Sequence, residues 1–511
     1  MNRRKQFIAN GLLVTAVSLL IRSVAVSFNV YISNKIGAVA MGLFTLITTV
    51  YSFSVTLATS GISFASTKLI ADALGENHVE EKSPARNPTV ACIVRKCILY
   101  ALCFSIGTGI LLFFLAPNIG KTILQDTRTI LPLQVLAFTL PPIALSSVLS
   151  GYFTAVRHVY KNAVVQITGQ VARIYGCILF ISLLGADDVQ SACLSIVLGG
   201  ALSEGIAFLM QYLLYLLEKK KASPNSDSQK NKAIQSKLIH TALPIAFSAY
   251  VRSGLITLEH MLIPWGLQRS GASKDTSLAA YGTVHSMVFP LVLFPSALSG
   301  SFAGLLIPEV AQSLSQGDTA RIDRIINKVF HAVLIFAVGT AGIMMCFSYE
   351  LADVVYPSAN AGKYILMIAP LIPVMYLDTS VDSILKGLGD QVFCMGVNIV
   401  DALLSVILVW TLLPSCGITG YIITVYFTET VNATLSITRL LIITKVKPRL
   451  IHWLGKPLLC IVLSTTGIRL ILTHFDNAAS NAWTLTAHIS LAICMYMILL
   501  VATKTILLPR K

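Results

Sequence analysis

The stretch TAVSLLIRSVAVSFNVYIS, residues 15–33, decides the class of this protein. It is apolar over a length that can cross a bilayer, since a hydrocarbon core of ~30 Å needs about 20 helical residues. Yet Arg22 stands near its middle. At a bilayer centre an arginine costs roughly 2.5–3.5 kcal/mol on insertion scales. A guanidinium at that depth must face a partner or a water-filled interior, and the rest of the chain has to build it.

The 511 residues are 55% hydrophobic and only 12% charged, with mean hydropathy +0.76. A soluble domain carries about a quarter charged residues, so most of this surface has to face lipid. The apolar blocks are unbroken, unlike the alternation of a membrane β-barrel. The expected fold class is therefore an all-α integral membrane protein. The net charge of +15 lies mostly between apolar blocks, which suits a topology signal better than nucleic acid. No nucleic-acid partner is expected. The ten cysteines include no CxxC pair, and those inside apolar segments (Cys103, Cys177, Cys346, Cys494) read as small core residues. Residues 1–5 and the apolar run after them imitate a signal peptide. The run is too long and has no small-residue cleavage site, so it is expected to be the first span.

Cutting at polar or Gly/Pro-rich breaks gives fourteen candidate transmembrane helices. They fall at about 7–32, 39–71, 90–116, 129–154, 162–184, 189–217, 236–265, 277–306, 325–349, 362–385, 391–413, 417–443, 450–472 and 484–506. Most of the 38 Lys and Arg then gather on alternate loops, among them Lys219, Lys220, Lys221, Lys230, Lys232 and Lys237. By the positive-inside rule both termini are expected in the cytoplasm. The segment EKKKASPNSDSQKNKAIQSK, residues 218–237, is basic, Ser-rich and without hydrophobic period, and reads as a cytoplasmic linker. It divides the first twelve spans into an N-lobe (1–217) and a C-lobe (238–447), leaving 448–511 for two C-terminal helices and a tail.

The two lobes look related. LLIRSVAVSFNVYI in span 1 lines up with AYVRSGLITLEHML in span 7, which places Arg22-Ser23 over Arg252-Ser253. SFA at 63–65 meets SFA at 301–303, and Pro141 falls over Pro373 at an offset of 232. Both copies begin on the same side of the membrane, so the expected repeat is parallel and pseudo-symmetric. Transporters use such repeats to rock two lobes around a central site.

IGAVAMGLFTLITTVYSFSVTLATSGISFASTKLIAD, residues 36–72, carries a family resemblance through Gly37 and Gly42, the Ser60-Gly61 turn and the ending Ser66, Lys68, Ala71. GYFTAVRHVYKNAVVQITGQVARI (151–174) and LKGLGDQ (385–391) look like the paired loops after spans 4 and 10. Over about the first 440 residues the chain resembles the stage V sporulation protein B group of polysaccharide-biosynthesis exporters. That superfamily also holds multidrug-and-toxin (MATE) extruders and lipid II flippases. The resemblance implies a MATE-like fold of two six-helix lobes around a V-shaped cavity, with two extra helices in the flippase branch. It implies export of undecaprenyl-diphosphate-linked sugars and a role in cell-wall or spore-cortex synthesis. Lipid II flippases carry several cations on their first two helices, whereas here Phe28 and Asn29 follow Arg22 with no second cation.

Against that background the intramembrane charges divide into two groups. Arg22 and Arg252 occupy equivalent places on the lobe-opening helices, and a guanidinium fork suits diphosphate oxygens. They are the expected substrate-binding pair, the plainer alternative being an ion pair between helices. Arg173 is a weaker third candidate, the plainer reading being that it snorkels or pairs within the first lobe. The coupling-ion candidates are Glu259, Asn398, Asp401, Thr424, Thr428, Asp378 and Asp382. Asn398 and Asp401 share a helix face, and Asp378 and Asp382 replace Ser146 and Ser150 of the first lobe. Helix–helix hydrogen bonding is the alternative for this group.

No Walker loop, HExxH, GxSxG or zinc spacing appears. The expectation is a secondary transporter rather than an enzyme, with no cofactor or resident metal, coupled to Na⁺ or H⁺. Its substrate would be a peptidoglycan precursor such as lipid II, or a polysaccharide repeat unit. Its partners would be that lipid, the bilayer of the bacterial plasma membrane and, as further candidates, cell-wall synthesis enzymes. Two alternatives stand beside it: a cation-coupled multidrug antiporter, and a membrane glycosyltransferase acting on the same lipid.

Overall fold

The structure, a computed structural model, describes residues 3–76, 88–185, 188–219, 228–357, 361–446, 451–474, 482–503 and 505. Among these all regular structure is helical, as it must be where lipid offers the backbone no hydrogen-bond partner. The chain opens with α1 (Arg3–Thr59), α2 (Ile62–Glu76), α3 (Pro88–Asn118) and α4 (Ile130–Ala137). Next come α5 (Leu140–Ala155), α6 (Val159–Leu184), α7 (Val189–Lys219) and α8 (Ser228–Arg269). Then follow α9 (Lys274–Gly282), α10 (Phe289–Leu293), α11 (Ser296–Ser315), α12 (Thr319–Cys346) and α13 (Ser348–Val355). The last are α14 (Ala361–Ile368), α15 (Ile372–Gly387), α16 (Gln391–Thr444), α17 (Lys456–His474) and α18 (Ala482–Ala502). Of the expected linker, 220–227 lie outside the described residues, and α8 already begins at Ser228.

Among the described residues nine helices are long and apolar enough to cross a membrane, ten if α4 and α5, bent by 45°, form one span. Two of the nine, Leu19–Leu74 with 56 residues and Gln391–Thr444 with 54, are far too long for a single crossing. At a rise of 1.5 Å per residue each would reach about 80 Å. Both are interrupted where the sequence calls for a loop between spans: Gly37 leaves the helix with φ 79 and ψ 171, and Gly417 with φ 58 and ψ −142.

The duplication shows most clearly in helix boundaries. Leu140 and Ala155, the ends of α5, lie 232 residues before Ile372 and Gly387, the ends of α15. Val159 and Gln391, which open α6 and α16, are also 232 apart. So are two reversals of the chain at positive φ, Arg157 with Gly389 and Gly185 with Gly417. Pro141 and Pro373 sit in the first turn of α5 and α15, where a missing N–H costs nothing. The turns before α6 and α16 are each stapled by an ion pair, with the charges reversed. Before α6, Glu218 at the end of α7 accepts hydrogen bonds from Tyr152 Oη (2.7 Å), from His158 Nδ1 (2.9 Å) and from Lys161 Nζ. Before α16 the carboxylate lies on the turn itself: Arg439 Nε donates to Asp390 at 2.6 Å, with the guanidinium over the Phe393 ring.

Two compact units emerge from the packing. One comprises Met1–Ile21 and Val39–Met261; the other comprises Arg22–Ala38 and Leu262–Lys511. In the first, Ile62, Ala65, Val148, Tyr152 and Phe153 form a core with Leu238 and Ala242 of α8. In the second, α17 and α18 pack on α12 through Ile335, Val338, Ile461 and Tyr496, and Tyr496 Oη donates to the Ile335 carbonyl at 2.9 Å.

Candidate functional site

Arg22 and Arg252 are both exposed. Among the described residues neither forms an ion pair within 4.0 Å or a side-chain hydrogen bond. Arg252 is carried in the first unit on a stretch of α8 with several ties to α1. Tyr250 Oη bonds Ser60 Oγ, Ser253 Oγ lies 3.3 Å from Thr56 Oγ1, and Gly254 faces the Phe53 ring. Arg22 opens the segment that packs in the second unit. Arg173 is different. Glu204 of α7 faces its charge, and Tyr51, whose hydroxyl lies 2.5 Å from Thr139 Oγ1, feels both. Arg173 too is exposed and forms no ion pair within 4.0 Å among the described residues, so the difference lies in the nearby acid alone.

The coupling-ion candidates separate in space and in state. Glu259 belongs to the first unit, whereas Asn398, Asp401, Thr424 and Thr428 belong to the second. Thr424 and Thr428 are buried, with hydroxyls turned to Gly420 and Val425 carbonyls of their own helix, and Asn398 Nδ2 donates to the Cys394 carbonyl at 2.7 Å. Three of the expected ligands therefore have polar atoms engaged locally. Asp378 and Asp382 of α15 make a more open constellation. Asn432 Nδ2 lies 3.4 Å from Asp378 Oδ2, and Asp382 pairs with Lys386 at 3.3 Å. The charges of Asp382 and Asp401 both face Asp378. Asp378 and the hydroxyl of fully buried Ser436 face each other, and among the described residues Asp378 Oδ1 and Ser436 Oγ have no other partner.

The first unit supplies the control for this arrangement. Ser146 and Ser150 stand where Asp378 and Asp382 stand, 232 residues on. There the network is neutral and satisfied: Ser146 Oγ lies 2.6 Å from the Gln211 amide, and Asn162 Nδ2 donates to the Ser150 carbonyl at 3.1 Å. The second unit thus keeps two acids on α15 where the corresponding helix of the first, with Ser146 and Ser150, has none. Asn432 and Ser436 escaped sequence reasoning. Their signal was an Asn/Ser pair at i and i+4, on one face of an otherwise apolar span. Among the described residues no three His, Cys, Asp or Glu side chains converge as metal ligands.

Residues 7–272 match the polysaccharide biosynthesis protein family. The chain belongs to that family. Residues 270–411 also match the MatE family. Among curated proteins this family member is similar to stage V sporulation protein B of Bacillus subtilis, 24% identical over 518 residues that span 98% of this chain and 96% of the relative. It is also similar to sporulation protein YkvU of the same organism, 18% identical over 45% of this chain and 52% of that one. Among solved structures, lipid II flippase MurJ in an inward closed conformation superposes with TM-score 0.68 at 12% identity, covering 98% of this chain and 99% of the other. An inward-facing multidrug resistance MATE family transporter superposes with TM-score 0.64 at 12% identity, over 85% and 100% of the two chains. The fold is MATE-like, and the share of this chain covered is larger for the flippase.

Proposed function

We propose that this chain is a secondary transporter that flips an undecaprenyl-diphosphate-linked sugar across the bacterial plasma membrane by alternating access. The observation that carries the reading is the state of Arg22 and Arg252: two arginines in apolar helices, aligned in the sequence repeat, exposed and with no ion pair among the described residues. Each offers an anionic headgroup a planar fork, and a diphosphate is the anion that the family's lipid-linked substrates carry. The family match, the likeness to a sporulation protein and the flippase fold support a peptidoglycan precursor or a polysaccharide repeat unit as cargo. In this reading the chain crosses the membrane fourteen times with both termini cytoplasmic. It comprises lobes 1–217 and 238–447 joined by the 218–237 linker, and a terminal helical pair in 448–511. Cell-wall synthesis enzymes would receive the cargo.

Energy coupling belongs, in the same proposal, to the Asp378, Asp382, Asp401, Asn432 and Ser436 constellation, where a proton or Na⁺ would offset the gathered acid. Asn398, Thr424 and Thr428 line the neighbouring helix, and Glu259 and Arg173 take secondary parts. The same acids favour one other reading, a cation-coupled multidrug antiporter, since acid suits a cationic drug. The experiment that separates them is depletion of the protein in its host with the lipid-linked intermediates of each leaflet quantified. Accumulation of one such lipid on the cytoplasmic leaflet is expected; accumulation of none, with greater sensitivity to amphipathic cations, would turn the assignment to the antiporter.

A further inference from the structure

Residues Arg22–Ala38 pack with the second unit, while the chain on either side of them packs with the first. Two asparagines make the polar attachments. Asn29 Nδ2 donates to the Ser286 carbonyl at 2.5 Å, and Asn34 Nδ2 donates to the Val355 carbonyl at 2.9 Å. Both acceptors are backbone carbonyls at interruptions of regular α-helix. Ser286 would bond the N–H of residue 290, but that residue is Pro290, which has none. The backbone opens there into a π turn, Thr283–Val288. Val355 is the last residue of α13, so its carbonyl points beyond the helix end. At its far end the segment stops at Gly37, whose φ of 79 suits glycine and whose missing Cβ would meet nothing within 4 Å. That glycine is there for its conformation and not for space, as a hinge requires.

We infer that Arg22–Ala38 is a strap clipped to the second unit by Asn29 and Asn34, and that both asparagines are positioning residues for Arg22. They fix the register and rotation of the helix that presents the guanidinium. This rests on the reading that Arg22 takes the diphosphate of the cargo. Asn29 is two helical turns from Arg22, at i+7, so it holds the same face of the helix. A released strap rotates or slides, and the fork loses alignment with its anion.

The test uses the full chain in proteoliposomes with a short-chain polyprenyl diphosphate sugar as probe. Its variants are Asn29→Ala, Asn34→Ala, Arg22→Ala, and Asn29→Ala combined with Pro290→Ala. The double variant matters because an alanine at 290 supplies the N–H four residues on from Ser286 that Pro290 lacks. It offers that carbonyl a further donor while leaving the strap unclipped. The expected result is a KM raised on the order of tenfold in Asn29→Ala and undiminished in the double variant, with kcat nearly kept. Hydrogen exchange across residues 22–36 should rise in both. Return of the double variant to wild-type KM would mean that Asn29 only satisfies a carbonyl, and overturns the proposal. Unchanged exchange across the strap in both asparagine variants overturns it as well. Normal transport by Arg22→Ala is read separately: it removes the diphosphate role of Arg22, and the exchange result then decides the strap alone.

Discussion

At the scale of single residues, the exposure of Arg22 and Arg252, with no ion pair among the described residues, sets the first expectation. Arg22→Ala and Arg252→Ala should each lower flipping by about 10- to 100-fold, the worth of one or two hydrogen bonds to a charged group. Membrane accumulation should be unchanged, since no folded-state pair is broken. Lysine should rescue only in part, because it keeps the charge and loses the fork. Loss of the protein from the membrane fraction, rather than loss of rate, would contradict this. Asp378 sets the second expectation. Asp378→Asn should abolish the response of transport to Na⁺, pH or potential gradients in sealed vesicles while leaving lipid-linked sugar bound, because the amide cannot lose or gain the charge. Asp401→Asn, whose charge also faces Asp378, should weaken the response without removing it. A wild-type response in Asp378→Asn would reduce the constellation to helix packing. The arginines were legible in the sequence because a charge in an apolar span is conspicuous. Asn432 and Ser436 were not, since polar pairs that merely join helices look the same.

At the scale of elements, α2 and α5 meet at a point with no spare room. A Cβ built on Gly151 would collide with the Ser66 hydroxyl and lie 2.7 Å from the Ser63 carbonyl. Gly151→Ala should destabilise the first unit by roughly 1–3 kcal/mol, as overpacking does. Ser66→Gly in the same chain should recover only part of this, because the backbone carbonyl stays. Full thermal stability of the single variant in detergent would show that the two helices can part freely. Hydropathy located these helices well, and the Pro141–Pro373 offset located their common start. The turn before α6 was less legible. Its positive φ falls on Arg157, a residue type that seldom accepts that region, whereas its counterpart Gly389 announces the turn openly.

At the scale of the whole molecule, the expectation is topological. Cysteine labelling in intact cells should leave positions in 218–237 and in the tail after Lys504 protected from an impermeant reagent, and should reach the 268–276 loop. One inversion among these three would break the fourteen-span count. The class of fold was legible from composition, and the duplication from a few offsets. The division into compact units was not, because it depends on which helices Arg22–Ala38 and the first part of α8 touch, and periodicity does not encode tertiary neighbours. The reversed staples also bear on how such a chain is made. Two near-copies of one topology emerge from the ribosome in succession, and each can recruit the wrong sibling's helix while it is still incomplete. A mispaired intermediate would set His158 and Lys161 against Arg439, or Asp390 against Glu218, like charge on like charge at the edge of the membrane. The opposite signs of the two turns should therefore disfavour a swapped partner, a like-charge contact standing where each native turn has an ion pair.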